Sequence, residues 1–246
     1  MNLEIKNKNV VITGGTKGIG ASMVKIFNSA GANIIATGTN SAEIKKLNLK
    51  NKKKKITFYQ LDLRSSTNIK IFINQIKHNN IDIFINNAGV NKIEAIDKIK
   101  LSDWDWINNV NLRGPFILMK EISKIMKKNK YGKILNVSSI FGVNSKEKRA
   151  AYSSSKWGLI GLTKASALDL APYNVLVNSI SPGFVKTDLT KKILGSAKMK
   201  SIAKSIPLNR LANPDEIAFA SLFLCSDMNT YITGQNIIVD GGFTSE

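Results

Sequence analysis

The stretch VVITGGTKGIGASM, residues 10–23, begins as a β-branched apolar run, breaks at a pair of glycines and resumes with helical spacing. Strand, glycine turn and helix, in that order, make a Rossmann βα unit, and Gly14, Gly18 and Gly20 stand where such a turn needs them. One glycine serves the tight turn, one the close approach of backbone to a pyrophosphate, and one the packing of helix on strand. The helix that follows offers free N–H groups and the positive end of its dipole to phosphates. Glycines also close ordinary βα turns. This one follows the first strand and has the spacing Gly-x-x-x-Gly-x-Gly, not Gly-x-Gly-x-x-Gly.

Outward from that turn the alternation continues. Apolar β-rich runs lie at 9–13, 33–38, 56–61, 81–86, 132–138, 175–181 and 236–240. Most are continuous rather than alternating, as parallel strands covered on both faces should be. Helical periodicity fills 19–30, 67–78, 104–128 and 151–171. This predicts an α/β fold: one doubly wound Rossmann domain over 1–246, with a parallel sheet of about seven strands and helices on both faces. No Pro- or Ser-rich linker divides the chain and no repeat occurs. Residues 187–206 are helical but weakly apolar and interrupt the last alternation, which suits a mobile lid over the strand ends.

Composition narrows the class. With 246 residues and 43% hydrophobic content the chain can bury a large core. No apolar run is long enough to span a bilayer. The N-terminus reads as a strand and not as a signal peptide. Cys225 is the only cysteine, so no disulfide framework or cysteine metal cluster is expected, and the cytoplasm is the expected setting. The net charge of +19 raises nucleic acid, membrane or an acidic partner. However, only Arg64, Arg113, Arg149 and Arg210 are arginines among 36 basic residues, and Asn and Ile are abundant, the skew of AT-rich codons. The run Lys52–Lys55 reads as a solvated loop with no aromatics for base stacking, so neither nucleic acid nor membrane is expected as a partner. The one histidine, His78, closes a helix, and no Ser-His triad or histidine metal site can be built from it.

In AYSSSKWG, residues 151–158, Tyr152 and Lys156 are four apart and share one helix face. A free phenol has a pKa of about 10, too high for ready proton exchange at neutral pH; a cation one turn away favours the phenolate. Ser139 could add a hydroxyl for a developing oxyanion. Singly, each has a plainer reading: a surface pair, a helix-cap or turn serine, and for Asn111 a helix amide that is exposed or bonded to backbone. Trp104 and Trp106 read as packing or interface residues, and Cys225 as core.

Taken in order, TGGTKGIG (13–20), LDL (61–63), NNAG (86–89), NVNLRG (109–114), NVSS (136–139), YSSSK (152–156), SPGFVKT (181–187) and ITGQNIIVDGG (232–242) closely resemble the single-domain short-chain dehydrogenase/reductases over essentially the whole chain. The branch most similar is that of the 3-oxoacyl-(acyl-carrier-protein) reductases. The resemblance implies a catalytic set of Ser139, Tyr152, Lys156 and Asn111, the last holding a water that refills the Tyr–Lys proton path. It implies cofactor contacts from Gly14, Thr16, Lys17, Gly18, Ile19 and Gly20 in the glycine loop, and from Thr37 and Thr39 after the second strand. Asp62 would bond the adenine beside Leu63; Asn87, Ala88 and Gly89 would wall the adenine ribose. Pro182, Gly183, Val185 and Thr187 would hold the nicotinamide, and Tyr152 and Lys156 its ribose. It also implies a homotetramer.

The second strand ends ATGTNS (36–41) without the acid that usually bonds the ribose of NAD, and Lys17 could meet a 2′-phosphate; NADPH is therefore expected. The expected reaction is reduction of a ketone to an alcohol, with a 3-oxoacyl chain on acyl carrier protein as first substrate. The chain departs from that branch just before the tyrosine, where IFGVNSKEKRAAY keeps Gly142 but carries Lys146, Glu147, Lys148 and Arg149. This leaves a sugar or other small polyol as the alternative, and a non-catalytic nucleotide-binding regulator as a third. Arg113 and Arg149 could dock an acidic carrier or an anionic substrate; as isolated charges they are expected to be solvated.

Overall fold

Residues 3 and 5–245 are described by a computed structural model. Its strands are β1 (Asn9–Ile12), β2 (Asn33–Gly38), β3 (Ile56–Gln60), β4 (Ile83–Asn86), β5 (Gly132–Val137), β6 (Val175–Pro182) and β7 (Asn236–Val239). They form one sheet in the order β3-β2-β1-β4-β5-β6-β7, and every pairing is parallel. The order reverses between β1 and β4. The carboxyl ends of those two strands flank a crevice, the usual ligand position in such sheets. The helices are α1 (Gly18–Ser29), α2 (Ser41–Lys50), α3 (Ser66–Ile76), α4 (Leu101–Asn108), α5 (Gly114–Asn129), α6 (Ala150–Leu170), α7 (Asp188–Lys204) and α8 (Pro214–Cys225).

Both faces of the sheet are covered, which accounts for the unbroken apolar runs. Val10, Ile12, Ile83, Ile85 and Leu135 face α1 and α8 and pack with Met23, Phe27, Ile217 and Leu222. Val11, Phe84, Ile134, Val175 and Val177 face the other way, against Phe72, Leu118, Ile122 and Met126. No helix among the described residues is long and apolar enough to cross a membrane.

The expected single helix over 104–128 is instead two helices joined by a π-helical turn, Asn109–Arg113. Pro115 has no N–H for the Asn111 carbonyl four residues back, so the ladder cannot run through in α register. It widens there, with Gly114 N–H donating to the Asn109 carbonyl. Helix α8 was not among the expected helices, although its start signal is in the sequence. Asn213 and Glu216 form a capping box around Pro214. Within 187–206, Thr187 caps α7, accepting from Thr190 N at 3.1 Å. The helix is broken at Gly195, which has a φ of 71°.

Candidate active site

One cavity of about 660 Å³ runs along the carboxyl edge of the sheet, from the glycine turn to the first turn of α6. At one end Gly14 and Gly18 adopt positive φ, 65° and 55°, where a side chain would be strained. A Cβ on Gly20 would overlap the Gly14 carbonyl and the Asn87 amide. Lys17 caps α1 without a side-chain hydrogen bond to its first N–H groups. The turn is tied down from two sides. Gly15 N–H donates to the Thr37 carbonyl at 2.8 Å, and Asn87 Nδ2 donates to the carbonyls of Thr13 and Gly14 at 2.9 and 3.0 Å. The turn is thus a backbone cradle that side chains would fill, and it fits a dinucleotide pyrophosphate.

The next wall comes from the ends of β2 and β3. Thr37 and Thr39 line it, and so does Asp62, which accepts from Arg64 Nη2 at 2.5 Å. Arg64 holds the Asp62 carboxyl below its usual range. Lys17 Nζ lies 3.4 Å from Glu43 Oε1, so a cation and a carboxylate from α2 meet at this rim.

At the other end β5 delivers Ser139 and α6 delivers Tyr152 and Lys156. Ser139 Oγ accepts from Phe141 N at 3.2 Å, which leaves its own proton free to donate. Burial pushes the Tyr152 phenol above its ordinary value, while the Ser139 hydroxyl and the Arg149 charge pull the other way. Lys156 is 3% exposed, and burial brings its ammonium down to about 8. Its Nζ donates to the Val137 carbonyl at 2.8 Å and lies 5.8 Å from the Tyr152 ring centroid. Asn111 sits beneath the cavity in the π turn. Its Nδ2 donates to Val90 O at 2.9 Å and Ser155 Oγ at 3.1 Å, and its Oδ1 accepts from Val90 N at 2.9 Å. That side chain clamps the loop after β4 to α6.

Every residue expected in the site lines this cavity except Asn111: Gly14, Thr16, Lys17, Gly18, Ile19, Gly20, Thr37, Thr39, Asp62, Leu63, Asn87, Ala88, Gly89, Ser139, Tyr152, Lys156, Pro182, Gly183, Val185 and Thr187. The sequence profile of the enoyl-(acyl carrier protein) reductase family matches residues 14–244. The 3-oxoacyl-(acyl-carrier-protein) reductase FabG of Aquifex aeolicus is 37% identical over 98% of this chain and 99% of its own. Among solved structures, a putative gluconate dehydrogenase from Agrobacterium tumefaciens superposes with a TM-score of 0.94 at 26% identity, covering 100% and 99% of the two chains. ElxO with NADP bound gives 0.91 at 32%, covering 98% and 100%.

The chain belongs to the short-chain dehydrogenase/reductase family.

It is therefore an oxidoreductase. Three features of this family member differ from the expectation or were missed. Arg149 is not solvated: it is 8% exposed and lines the cavity, its guanidinium carbon 5.3 Å from the Phe141 ring centroid. The charged residues just before it, Lys146, Glu147 and Lys148, do stay exposed, and so does Arg113, which donates to Ser66 Oγ at 3.2 Å. Trp106 is more than a packing residue, since it also lines the cavity. Arg64 also lines the cavity; an arginine two residues after Asp62 was the available signal.

Proposed function

We propose that the protein is an NADPH-dependent reductase that turns a ketone into an alcohol, with Tyr152 as proton donor and a 3-oxoacyl chain on acyl carrier protein as substrate. The observation that carries the reaction is the single cavity joining the glycine cradle to Ser139, Tyr152 and Lys156. Bound reduced nicotinamide supplies a hydride to the carbonyl carbon. The protein must then give the oxygen a proton. A buried phenol with a raised pKa holds its proton until an alkoxide appears. The Ser139 O–H, which faces the Tyr152 phenol, meets the same oxygen and stabilises charge as it develops. Lys156 keeps a positive charge beneath the phenol, and Asn111 acts as a positioning residue for the loop at Val90. NADP bound to relatives and the absence of an acid after β2 support the 2′-phosphorylated cofactor. Broken at Gly195, α7 would act as the lid, bringing Leu189, Thr190 and Leu194 over the cavity.

The sugar or polyol reading has its own support, in the likeness to a putative gluconate dehydrogenase and in the buried Arg149. Exposed apolar side chains on α5 and α6, Phe116, Trp157 and Leu168, and on α8 and β7, Phe219, Phe223 and Ile238, support a homotetramer. The test is NADPH absorbance with an acetoacetyl thioester, a keto sugar and a generic ketone. Rapid turnover of the thioester is expected; turnover of the keto sugar alone would overturn the carrier-protein assignment. Gel filtration giving a monomer would overturn the tetramer.

A further inference from the structure

Arg149 is three residues before Tyr152, at the N-terminal end of α6. The loop leading to it is solvated, yet its guanidinium turns inward onto Phe141, the ring that Tyr152 also meets edge-on at a centroid distance of 6.4 Å. Its Nε and Nη1 are buried and find no hydrogen-bond partner among the described residues. No described carboxylate pairs with it: Glu147, two residues away, is exposed and lies 3.8 Å from Lys146 Nζ. Arginine cannot escape the cost by losing its proton. Phe141 offers the cation a ring face but no acceptor for an N–H. A buried cation with unmade hydrogen bonds destabilises a fold. This one lines the catalytic cavity beside Ser139 and Tyr152, so a substrate can supply what the fold does not.

We infer that Arg149 is a specificity-determining residue that binds a second oxygen acceptor on the substrate, a carboxylate or acyl carbonyl close to the carbonyl being reduced. The residue selects 1,3-dioxygenated substrates over plain ketones. An acyl thioester would present its carbonyl, and a free keto acid its carboxylate, which takes charge-assisted bonds more strongly. This rests on the reading of Tyr152 as the proton donor in the same cavity.

The test compares acetoacetyl thioester, acetoacetate and cyclohexanone in the wild type, Arg149→Gln and Arg149→Lys. The ratio of kcat/KM for either dioxygenated substrate to that for cyclohexanone should fall by about 30-fold in Arg149→Gln, the loss of hydrogen bonds to a charged group. Arg149→Lys should recover part of it. An unchanged ratio would overturn the inference, even if all three rates drop together. A second readout needs no turnover. In the NADP+ complex, acetoacetate should bind wild type at least about tenfold more tightly than Arg149→Gln, and equal binding would overturn the inference. Failure of wild type to reduce any ketone, with that difference in binding intact, would instead sink the reductase reading.

Discussion

The ammonium of Lys156 donates to the carbonyl of Val137, the last residue of β5, at 2.8 Å. The bond pins the first turns of α6 to the end of the strand that delivers Ser139. A neighbouring bond does the same, Ser138 Oγ donating to the Lys156 carbonyl at 3.1 Å. Lys156 thus fixes geometry and also supplies charge to the site. The cost is a buried cation, and that cost depends on pH.

With its ammonium brought down to about 8 by burial, Lys156 is protonated in both folded and unfolded chains at pH 7, and the full penalty is present. Between about 8 and 10.5 the folded chain loses this proton while the unfolded chain keeps it. The penalty is relieved, and stability rises with pH. Wild type should therefore gain about 2–3 kcal/mol relative to Lys156→Met between pH 7 and pH 10. Urea unfolding of both proteins across that range measures it. Parallel curves would contradict the buried charge.

Tyr152→Phe removes the proton and leaves the ring against Phe141. Turnover should fall by about a thousandfold, the scale of general acid catalysis. NADPH binding, followed by fluorescence, should change little. Activity that survives this change would remove Tyr152 from the mechanism.

The pair of Lys17 and Glu43 at the α1 rim predicts a cofactor effect. With Glu43 3.4 Å away, part of the lysine's charge is already answered before a 2′-phosphate arrives. Glu43→Gln should lower KM for NADPH several-fold, and Lys17→Ala should raise it about tenfold, both without effect on NADH. These shifts should shrink in high salt, because the Lys17 side chain is 68% exposed. Equal shifts for the two cofactors would mean that Lys17 does not meet the 2′-phosphate.

What the sequence disclosed was local. A glycine turn, a continuous apolar strand and a Tyr-x-x-x-Lys spacing each depend on residues a few positions apart, and each stands where it was expected. Arg149 shows the limit. Read by its neighbours Lys146, Glu147 and Lys148 it belongs to a solvated loop; it is buried because Phe141 waits across the turn, and no spacing rule connects those two. The π turn could have been read, since Gly114-Pro115 interrupts the helical pattern after Asn111. The target of the Asn111 amide, Val90, lies 21 residues away, and only the fold brings it near.

Gly20 tests the cradle by sterics alone. It is helical and buried, so an alanine there would ordinarily be favourable by up to about 1 kcal/mol. Here the added Cβ would overlap the Gly14 carbonyl and the Asn87 amide. Neither can yield cheaply, because Asn87 Nδ2 is bonded to both Thr13 and Gly14. Overpacking of this kind costs about 1–3 kcal/mol, so Gly20→Ala should lower Tm by roughly 3–10 °C. Displacing the Gly14 carbonyl also reshapes the turn that would meet the pyrophosphate. NADPH affinity should therefore fall at temperatures where the variant remains folded. Calorimetry and a cofactor titration on the same protein separate the two effects. A variant as stable and as tight-binding as wild type would mean that the turn can open without loss.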